Sequence, residues 1–144
     1  MNTGKQLRVV LVDDSSLFRE RIAALISGLP GVEIVGQAPD ALTGLAFAQA
    51  LLPDVMVLDI GLPGSSGIEL LKAVKIRSQP PLVVMLTNHN VRQLRDKCFE
   101  LGAEFYFYKP DEFEKAVEVC RDLAERRSQT IPDAKGTDGA TQRK

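Results

Sequence analysis

The feature that most constrains the fold of this chain is a regular alternation of short apolar runs with longer stretches of helical periodicity. Five runs rich in β-branched or aromatic residues cover positions 7–12, 32–36, 55–58, 82–86 and 105–108. Each is followed by a segment whose apolar residues recur every three or four positions, as in an amphipathic helix. This alternation predicts an α/β fold, in which a parallel sheet is covered by helices on both faces.

Polar residues that can cap helices mark several of the predicted helix starts. Ser15 or Ser16 can accept the first backbone N–H groups of the helix after the first run, and Asp40 can do so for the second helix. Asp111 and Glu114 have the spacing of a capping box, which predicts that the last helix begins at Asp111. The first and last strands are therefore expected to end close to helix N-termini.

The length of 144 residues suits one domain, which we assign to residues 1–127. Hydrophobic residues make up 44% of the chain, which is enough for a packed core. From position 128 onward the sequence is polar, has Ile131 as its one large aliphatic residue and shows no periodicity. Residues 128–144 are therefore predicted to form a flexible polar tail.

Charge and hydropathy argue against several classes of function. The 18 basic and 19 acidic side chains give a net charge of −1, whereas a nucleic-acid-binding module needs a clustered basic surface. No apolar run reaches membrane-spanning length, and charged residues come too early for a secretory signal. Cys98 and Cys120 are too few for a disulfide framework or a thiolate metal site. We therefore expect a cytoplasmic protein that binds neither nucleic acid nor a membrane directly.

Charged and hydroxyl side chains stand where the predicted strands end. Asp13 and Asp14 follow the first strand, and Asp59 follows the third. Thr87 follows the fourth strand and Lys109 the fifth. Because ligands of such sheets bind in the crevice at the carboxyl ends of the strands, we expect these five side chains to converge on one site.

The predicted convergence of three carboxylates indicates a cation site. Two carboxylates about 5 Å apart repel each other by roughly 3 kcal/mol at an effective dielectric constant of 20. A small set of oxygen ligands favours Mg²⁺, which keeps several waters and can accept a phosphoryl oxygen. Asp59 beside Mg²⁺, Lys109 and the Thr87 hydroxyl suggests phosphoryl transfer onto the Asp59 carboxylate.

Four sequence segments resemble the receiver domains of two-component response regulators. They are VDDSS, VLDIGLPGSSG, VMLTN and FYFYKP, and the resemblance extends over about residues 7–126. Thr87 comes 28 positions after Asp59, and Lys109 comes 22 positions after Thr87; both spacings fit the family. The resemblance implies a flavodoxin-like, doubly wound sheet of five parallel strands in the order 2-1-3-4-5.

The resemblance also implies a phosphoacceptor and a set of metal ligands. Asp59 would accept a phosphoryl group from the phosphohistidine of a histidine kinase or a phosphotransfer protein. Asp14 would bind Mg²⁺ directly and Asp13 mainly through water, and Asp59 would also belong to the metal site. The backbone carbonyl of Gly61 would be a further ligand.

Three further positions match residues that respond to phosphorylation in the family. Lys109 would pair with the phosphoryl group, and the Thr87 hydroxyl would be drawn toward it. Tyr106 stands at the position of the aromatic switch residue, which turns inward as the threonine moves. The bond between Lys109 and Pro110 is expected to be a cis peptide, since the family carries one there.

The function expected from these residues is that of a phosphorylation-controlled switch and not of an enzyme with a separate substrate. Phosphorylation would remodel the face made by the fourth helix, the fifth strand and the fifth helix, which would bind a downstream protein. Whether phosphorylation also causes homodimerisation is left open.

Three alternatives are weighed against this hypothesis. The chain could be the receiver part of a transcription regulator whose DNA-binding domain is absent. A phosphatase with an aspartyl nucleophile needs a second aspartate two residues after it, where this chain has Gly61. A flavodoxin-type module needs a phosphate-binding loop after the first strand, where Asp13 and Asp14 would repel phosphate.

Overall fold

Five parallel strands form one sheet in the computed structural model, which describes residues 5–129. The strands are β1 (Leu7–Val12), β2 (Val32–Ala38), β3 (Val55–Leu58), β4 (Leu82–Thr87) and β5 (Phe105–Tyr108). The helices are α1 (Ser16–Ser27), α2 (Ala41–Leu51), α3 (Gly67–Lys75), α4 (Arg92–Glu100) and α5 (Lys109–Gln129). The order β2-β1-β3-β4-β5 confirms the predicted topology.

Helices cover both faces of the sheet. Successive residues of each strand point to opposite faces, so each strand contributes to two separate buried clusters. Val9 and Leu11 of β1 belong to a buried cluster that includes residues of α1 and α5. Val10 and Val12 belong to a second cluster that includes residues of α2, α3 and α4. The predicted two-layer covering of a parallel sheet is therefore confirmed, and the central strands are buried on both sides.

Helix caps are found at two of the predicted positions. The Ser15 hydroxyl accepts the backbone N–H of Phe18 at 3.1 Å, and the Asp40 carboxylate accepts that of Thr43 at 2.8 Å. Both residues have extended backbone conformation, as N-caps do.

The start of α5 differs from the prediction in two ways. The helix begins at Lys109, directly after β5, so the capping box from Asp111 to Glu114 is wrong. Instead the Glu112 carboxylate accepts the backbone N–H of Tyr108 at 2.8 Å. The cis peptide before Pro110 is also wrong, since the described residues contain no cis bond. Pro110 lies in the first helical turn, where a missing N–H costs no intrahelical hydrogen bond.

The two cysteines are packing residues. Cys98 and Cys120 are both fully buried and unpaired, each in a different core cluster. Burial raises the pKa of the Cys98 thiol to about 11 and that of the Cys120 thiol to about 12. Both thiols are therefore protonated at neutral pH and unreactive in the folded protein.

The end of α5 overlaps the predicted polar tail. Ser128 and Gln129 extend α5, and the rest of the predicted polar tail lies outside the described residues, so the tail stays a prediction. Within residues 5–129, no helix is both long enough and apolar enough to cross a membrane.

The cap at the start of α5 makes stability depend on pH in a definite direction. The Tyr108 N–H and the Lys115 ammonium hold the pKa of Glu112 below its ordinary value of 4.5. The carboxylate therefore stabilises the folded protein above pH 4.5, and this contribution is lost as the pH falls through the lower folded-state value. We expect Glu112→Gln to lower the free energy of unfolding by roughly 0.5 kcal/mol at pH 7.

Denaturant unfolding at several pH values measures this effect, with Glu114→Gln on the same helix as the matched control. The difference between wild type and Glu112→Gln should shrink below pH 4.5, where the wild-type carboxyl becomes protonated. The control should show no such dependence. A difference that stays constant from pH 7 to pH 3 would contradict the assignment of the cap.

Candidate functional site

The structure brings the five predicted side chains to the carboxyl edge of the sheet. Asp13 and Asp14 directly follow β1, Asp59 follows β3, Thr87 ends β4 and Lys109 begins α5. The three aspartates each offer a carboxylate oxygen, and these oxygens all lie within 4.8 Å of one another. The parallel pairing of β1 with β3 sets this distance, since the strand ends are in register.

Lys109 makes two ion pairs in this site. Its ammonium lies 2.6 Å from an oxygen of Asp13 and 3.2 Å from an oxygen of Asp59. All three side chains are largely buried, with 11% of Lys109, 7% of Asp13 and 8% of Asp59 exposed. One ammonium pairs with two of the three clustered carboxylates, so these four side chains together carry an excess of negative charge.

The surroundings of Asp13 disfavour its charged form. Burial raises the pKa of Asp13, and the neighbouring Asp59 carboxylate acts in the same direction. The Lys109 ammonium and the Ser15 N–H, which donates to Asp13 at 2.8 Å, oppose this effect without overcoming it. The charged form of Asp13 is therefore incompletely compensated by its protein neighbours.

The loop between β3 and α3 holds Asp59 closely. The backbone N–H of Gly61 donates to the other oxygen of Asp59 at 3.3 Å. The backbone N–H of Gly67 donates to the carbonyl of Ile60 at 2.8 Å, which closes the loop. A Cβ atom at Gly67 would lie 1.8 Å from the carbonyl oxygen of Asp59. Glycine is therefore required at position 67 for the loop to approach Asp59 this closely.

The three carboxylates fit a hard divalent cation. They offer only oxygen ligands, and two of them are buried beside one another with incomplete charge compensation. Mg²⁺ prefers a few carboxylate oxygens and keeps water in its remaining positions, and the exposed Asp14 leaves such room. The cluster can therefore hold Mg²⁺ through Asp13, Asp14 and Asp59.

Thr87 and Tyr106 contact the same residue, His89, in the loop after β4. The Thr87 side chain is fully buried, and its hydroxyl accepts the backbone N–H of His89 at 3.3 Å. The Tyr106 hydroxyl donates to the backbone carbonyl of His89 at 2.7 Å. Burial is the main cause that raises the pKa of Tyr106 to about 12. His89 thus links the two predicted switch residues through its backbone.

Two residues of α1 that were not predicted from the sequence contact the site. The Arg19 guanidinium donates to the backbone carbonyl of Asp13. The Phe18 ring lies under the Lys109 ammonium, with its centroid 4.3 Å away. Neither residue is among the predicted site residues. The signal that could have identified Phe18 is that it is the one aromatic residue of α1 and lies in its first turn, beside the acidic pair.

Residues 9–121 match a family model described as the response regulator receiver domain. The chain is 36% identical over 108 residues to a protein-glutamate methylesterase/protein-glutamine glutaminase of Koribacter versatilis, covering 74% of this chain and 30% of that protein. It is 30% identical over 132 residues to the transcriptional regulatory protein NarL of Mycobacterium tuberculosis, covering 92% of this chain and 61% of NarL. The chain thus spans about 30% of the length of the methylesterases it matches.

Solved structures have the same fold. The signal receiver domain of NarL from Mycobacterium tuberculosis has a TM-score of 0.77 and 30% identity, and the match covers 84% of this chain and 98% of that one. The response regulator domain of CheB from Thermotoga maritima has a TM-score of 0.74 and 27% identity, covering 88% of this chain and 99% of that one.

We expect Asp13→Asn to raise the free energy of unfolding at pH 7 in the absence of divalent ions. The raised pKa of Asp13 means that its charge costs stability as the pH rises above the ordinary value of 3.8. Asparagine removes that charge but keeps an oxygen that can accept from Lys109.

Mg²⁺ at about 100 times its dissociation constant should stabilise the wild type by about 2.7 kcal/mol.

Thermal and denaturant unfolding with and without Mg²⁺ measure both effects. Asp96→Asn on α4 is the matched control, because it removes the same charge from an exposed position. The stabilisation by a fixed Mg²⁺ concentration should be smaller in Asp13→Asn and unchanged in the control. Equal stabilisation of all three proteins would contradict metal binding at this cluster.

Proposed function

This chain belongs to the response regulator receiver domain family, and we propose that its Asp59 accepts a phosphoryl group from the phosphohistidine of a histidine kinase or a phosphotransfer protein. The observation that carries the proposal is the surroundings of Asp59. One of its carboxylate oxygens lies 3.2 Å from the Lys109 ammonium, and the other accepts the Gly61 N–H. A buried carboxylate with a cation and a backbone donor beside it is suited to become a phosphorylated group.

The position of β3 favours Asp59 over the other two aspartates as the acceptor. β3 is the central strand, with β1 on one side and β4 on the other. Asp59 therefore has Asp13 and Asp14 on one side and Thr87 on the other. A phosphoryl group on Asp59 would have metal ligands and a hydroxyl within reach, whereas Asp14 lies at the exposed rim.

The proposed transfer forms one bond and breaks one. An oxygen of the Asp59 carboxylate attacks phosphorus, the bond from phosphorus to the donor imidazole nitrogen breaks, and the imidazole leaves as neutral histidine after protonation. Lys109 is placed to donate to the transferred phosphoryl oxygens and to offset their charge. Mg²⁺ held by Asp13, Asp14 and Asp59, with the Gly61 carbonyl, would supply further charge neutralisation on those oxygens.

The backbone of His89 offers a route from the site to a protein-binding face. Movement of the Thr87 hydroxyl toward a phosphoryl group would disturb its contact with the His89 N–H, and Tyr106 is bonded to the carbonyl of the same residue. Tyr106 also contacts Phe99 of α4, with ring centroids 6.4 Å apart. Arg95 lies over the Phe99 ring at 5.7 Å. We infer that the α4–β5–α5 face binds the downstream protein in a phosphorylation-dependent way.

A second candidate is that this chain forms the receiver part of a longer regulator. The observation in its favour is that the chain spans only part of the curated relatives it matches. In that case the α4–β5–α5 face would contact a domain of the same protein. We propose no catalytic activity beyond gain and loss of the phosphoryl group. We also propose a cytoplasmic location, since the two buried free thiols suit a reducing compartment.

Incubation with acetyl phosphate and Mg²⁺ tests the proposal. The wild type should gain the mass of one phosphoryl group, and hydroxylamine should remove it because an acyl phosphate is labile to that nucleophile. Asp59→Asn should gain nothing, whereas the control Asp96→Asn should behave as the wild type does. Chelation of Mg²⁺ should prevent labelling of all variants.

Two results would count against this function. Equal labelling of Asp59→Asn and wild type would move the acceptor to another residue. Steady release of phosphate from a phosphomonoester would instead favour the phosphatase alternative, which needs turnover and not one modification per chain.

A further inference from the structure

We propose that Phe18 is a positioning residue that holds the Lys109 ammonium in the candidate site through a cation–π contact. The inference rests on the proposed function, because it concerns how Lys109 meets a phosphoryl group on Asp59. It assigns a role to a residue of α1 that the ion pairs alone do not show.

The geometry of the contact is favourable. The Lys109 ammonium lies 4.3 Å from the centroid of the Phe18 ring, inside the limit of about 6 Å for a cation–π interaction. Only 11% of the Lys109 side chain is exposed, so water does little to screen the contact. Attraction of an ammonium to a ring face is stronger when the pair is desolvated.

Two contacts hold Phe18 in place. Its backbone N–H donates to the hydroxyl of Ser15, which fixes the first turn of α1. Its side chain meets the Phe113 ring of α5 edge to face, with centroids 6.4 Å apart and an angle of 76° between the planes. Phe113 lies one turn after Lys109 on the same helix, so α5 supplies both the cation and the ring that orients Phe18.

An aromatic face suits a cation that must change partners. Lys109 is closer to Asp13, at 2.6 Å, than to Asp59, at 3.2 Å, and must shift toward a phosphoryl group on Asp59. A further carboxylate on the Phe18 side would compete with the phosphoryl oxygens for the ammonium. The ring attracts the ammonium without offering a negative charge.

This role predicts a separation between two measurable quantities. Phe18 is not among the oxygen ligands that fit Mg²⁺, so its loss should leave the dissociation constant of Mg²⁺ nearly unchanged. Loss of the ring face should slow phosphorylation, because the Lys109 ammonium can then turn toward water and away from Asp59.

The test compares Phe18→Leu, which keeps an apolar side chain without a ring, with Phe18→Tyr, which keeps the ring face. At saturating Mg²⁺, Phe18→Leu should lower the rate constant for phosphorylation by acetyl phosphate about 3- to 10-fold. Phe18→Tyr should stay within about two-fold of the wild type, since its ring offers a similar face. Phe113→Leu removes comparable core packing but leaves the Phe18 ring, so its rate should fall less than that of Phe18→Leu.

Nuclear magnetic resonance of the Lys109 side chain gives a readout that does not need phosphorylation. The ring current of Phe18 should shift the Lys109 ε-methylene signals upfield in the wild type and in Phe18→Tyr, and Phe18→Leu should abolish the shift. The inference is overturned if Phe18→Leu keeps the shift, or if it is phosphorylated at the wild-type rate. A wild type that shows the shift but is not phosphorylated would reject the proposed function and leave the positioning contact standing.

Discussion

The pairing of one ammonium with two buried carboxylates is the interaction on which the site of this protein depends. Lys109 approaches both Asp13 and Asp59, and it allows charged groups from β1 and β3 to remain at a buried sheet edge. It does not neutralise them fully, because burial still raises the pKa of Asp13 and Asp14 adds a third carboxylate. The remaining negative charge suits the site to a divalent cation, and the single ammonium is placed where it could meet a phosphoryl group on Asp59.

The fold serves this arrangement by fixing the backbone at each charged position. Parallel pairing of β1 with β3 sets the two carboxylates side by side, and Gly67 lets the loop after β3 close against Asp59. The helix α5 begins directly at Lys109, so the direction of the lysine side chain is set by a helix that packs against the sheet. The strand pairing, Gly67 and the start of α5 constrain the backbone and not the Lys109 ammonium. We therefore expect the ammonium to be able to exchange Asp13 for a phosphoryl group on Asp59.

The resemblance to receiver domains implied the sheet order, whereas the placement of the five polar residues at one sheet edge follows from which residues end buried parallel strands. The sequence did not predict contacts that depend on how helices approach one another. Phe18 faces Lys109 only because α1 and α5 pack on the same face of the sheet, and hydrophobic periodicity contains no such information. The predicted start of α5 at Asp111 is wrong because the spacing of Asp111 and Glu114 is typical of a capping box. In the structure Glu112 instead accepts the backbone N–H of Tyr108, a contact that sequence spacing did not indicate.

If Asp59 accepts a phosphoryl group, Lys109 must change partner. A crystal structure with Mg²⁺ and beryllium fluoride, which imitates the phosphoryl group on a carboxylate, would show this exchange. We expect the beryllium fluoride to lie on Asp59. The Lys109 ammonium should have left Asp13 to contact a fluorine atom and should still lie over the Phe18 ring. Beryllium fluoride on a different carboxylate, or a Lys109 that remains paired with Asp13 while Asp59 is occupied, would contradict this expectation.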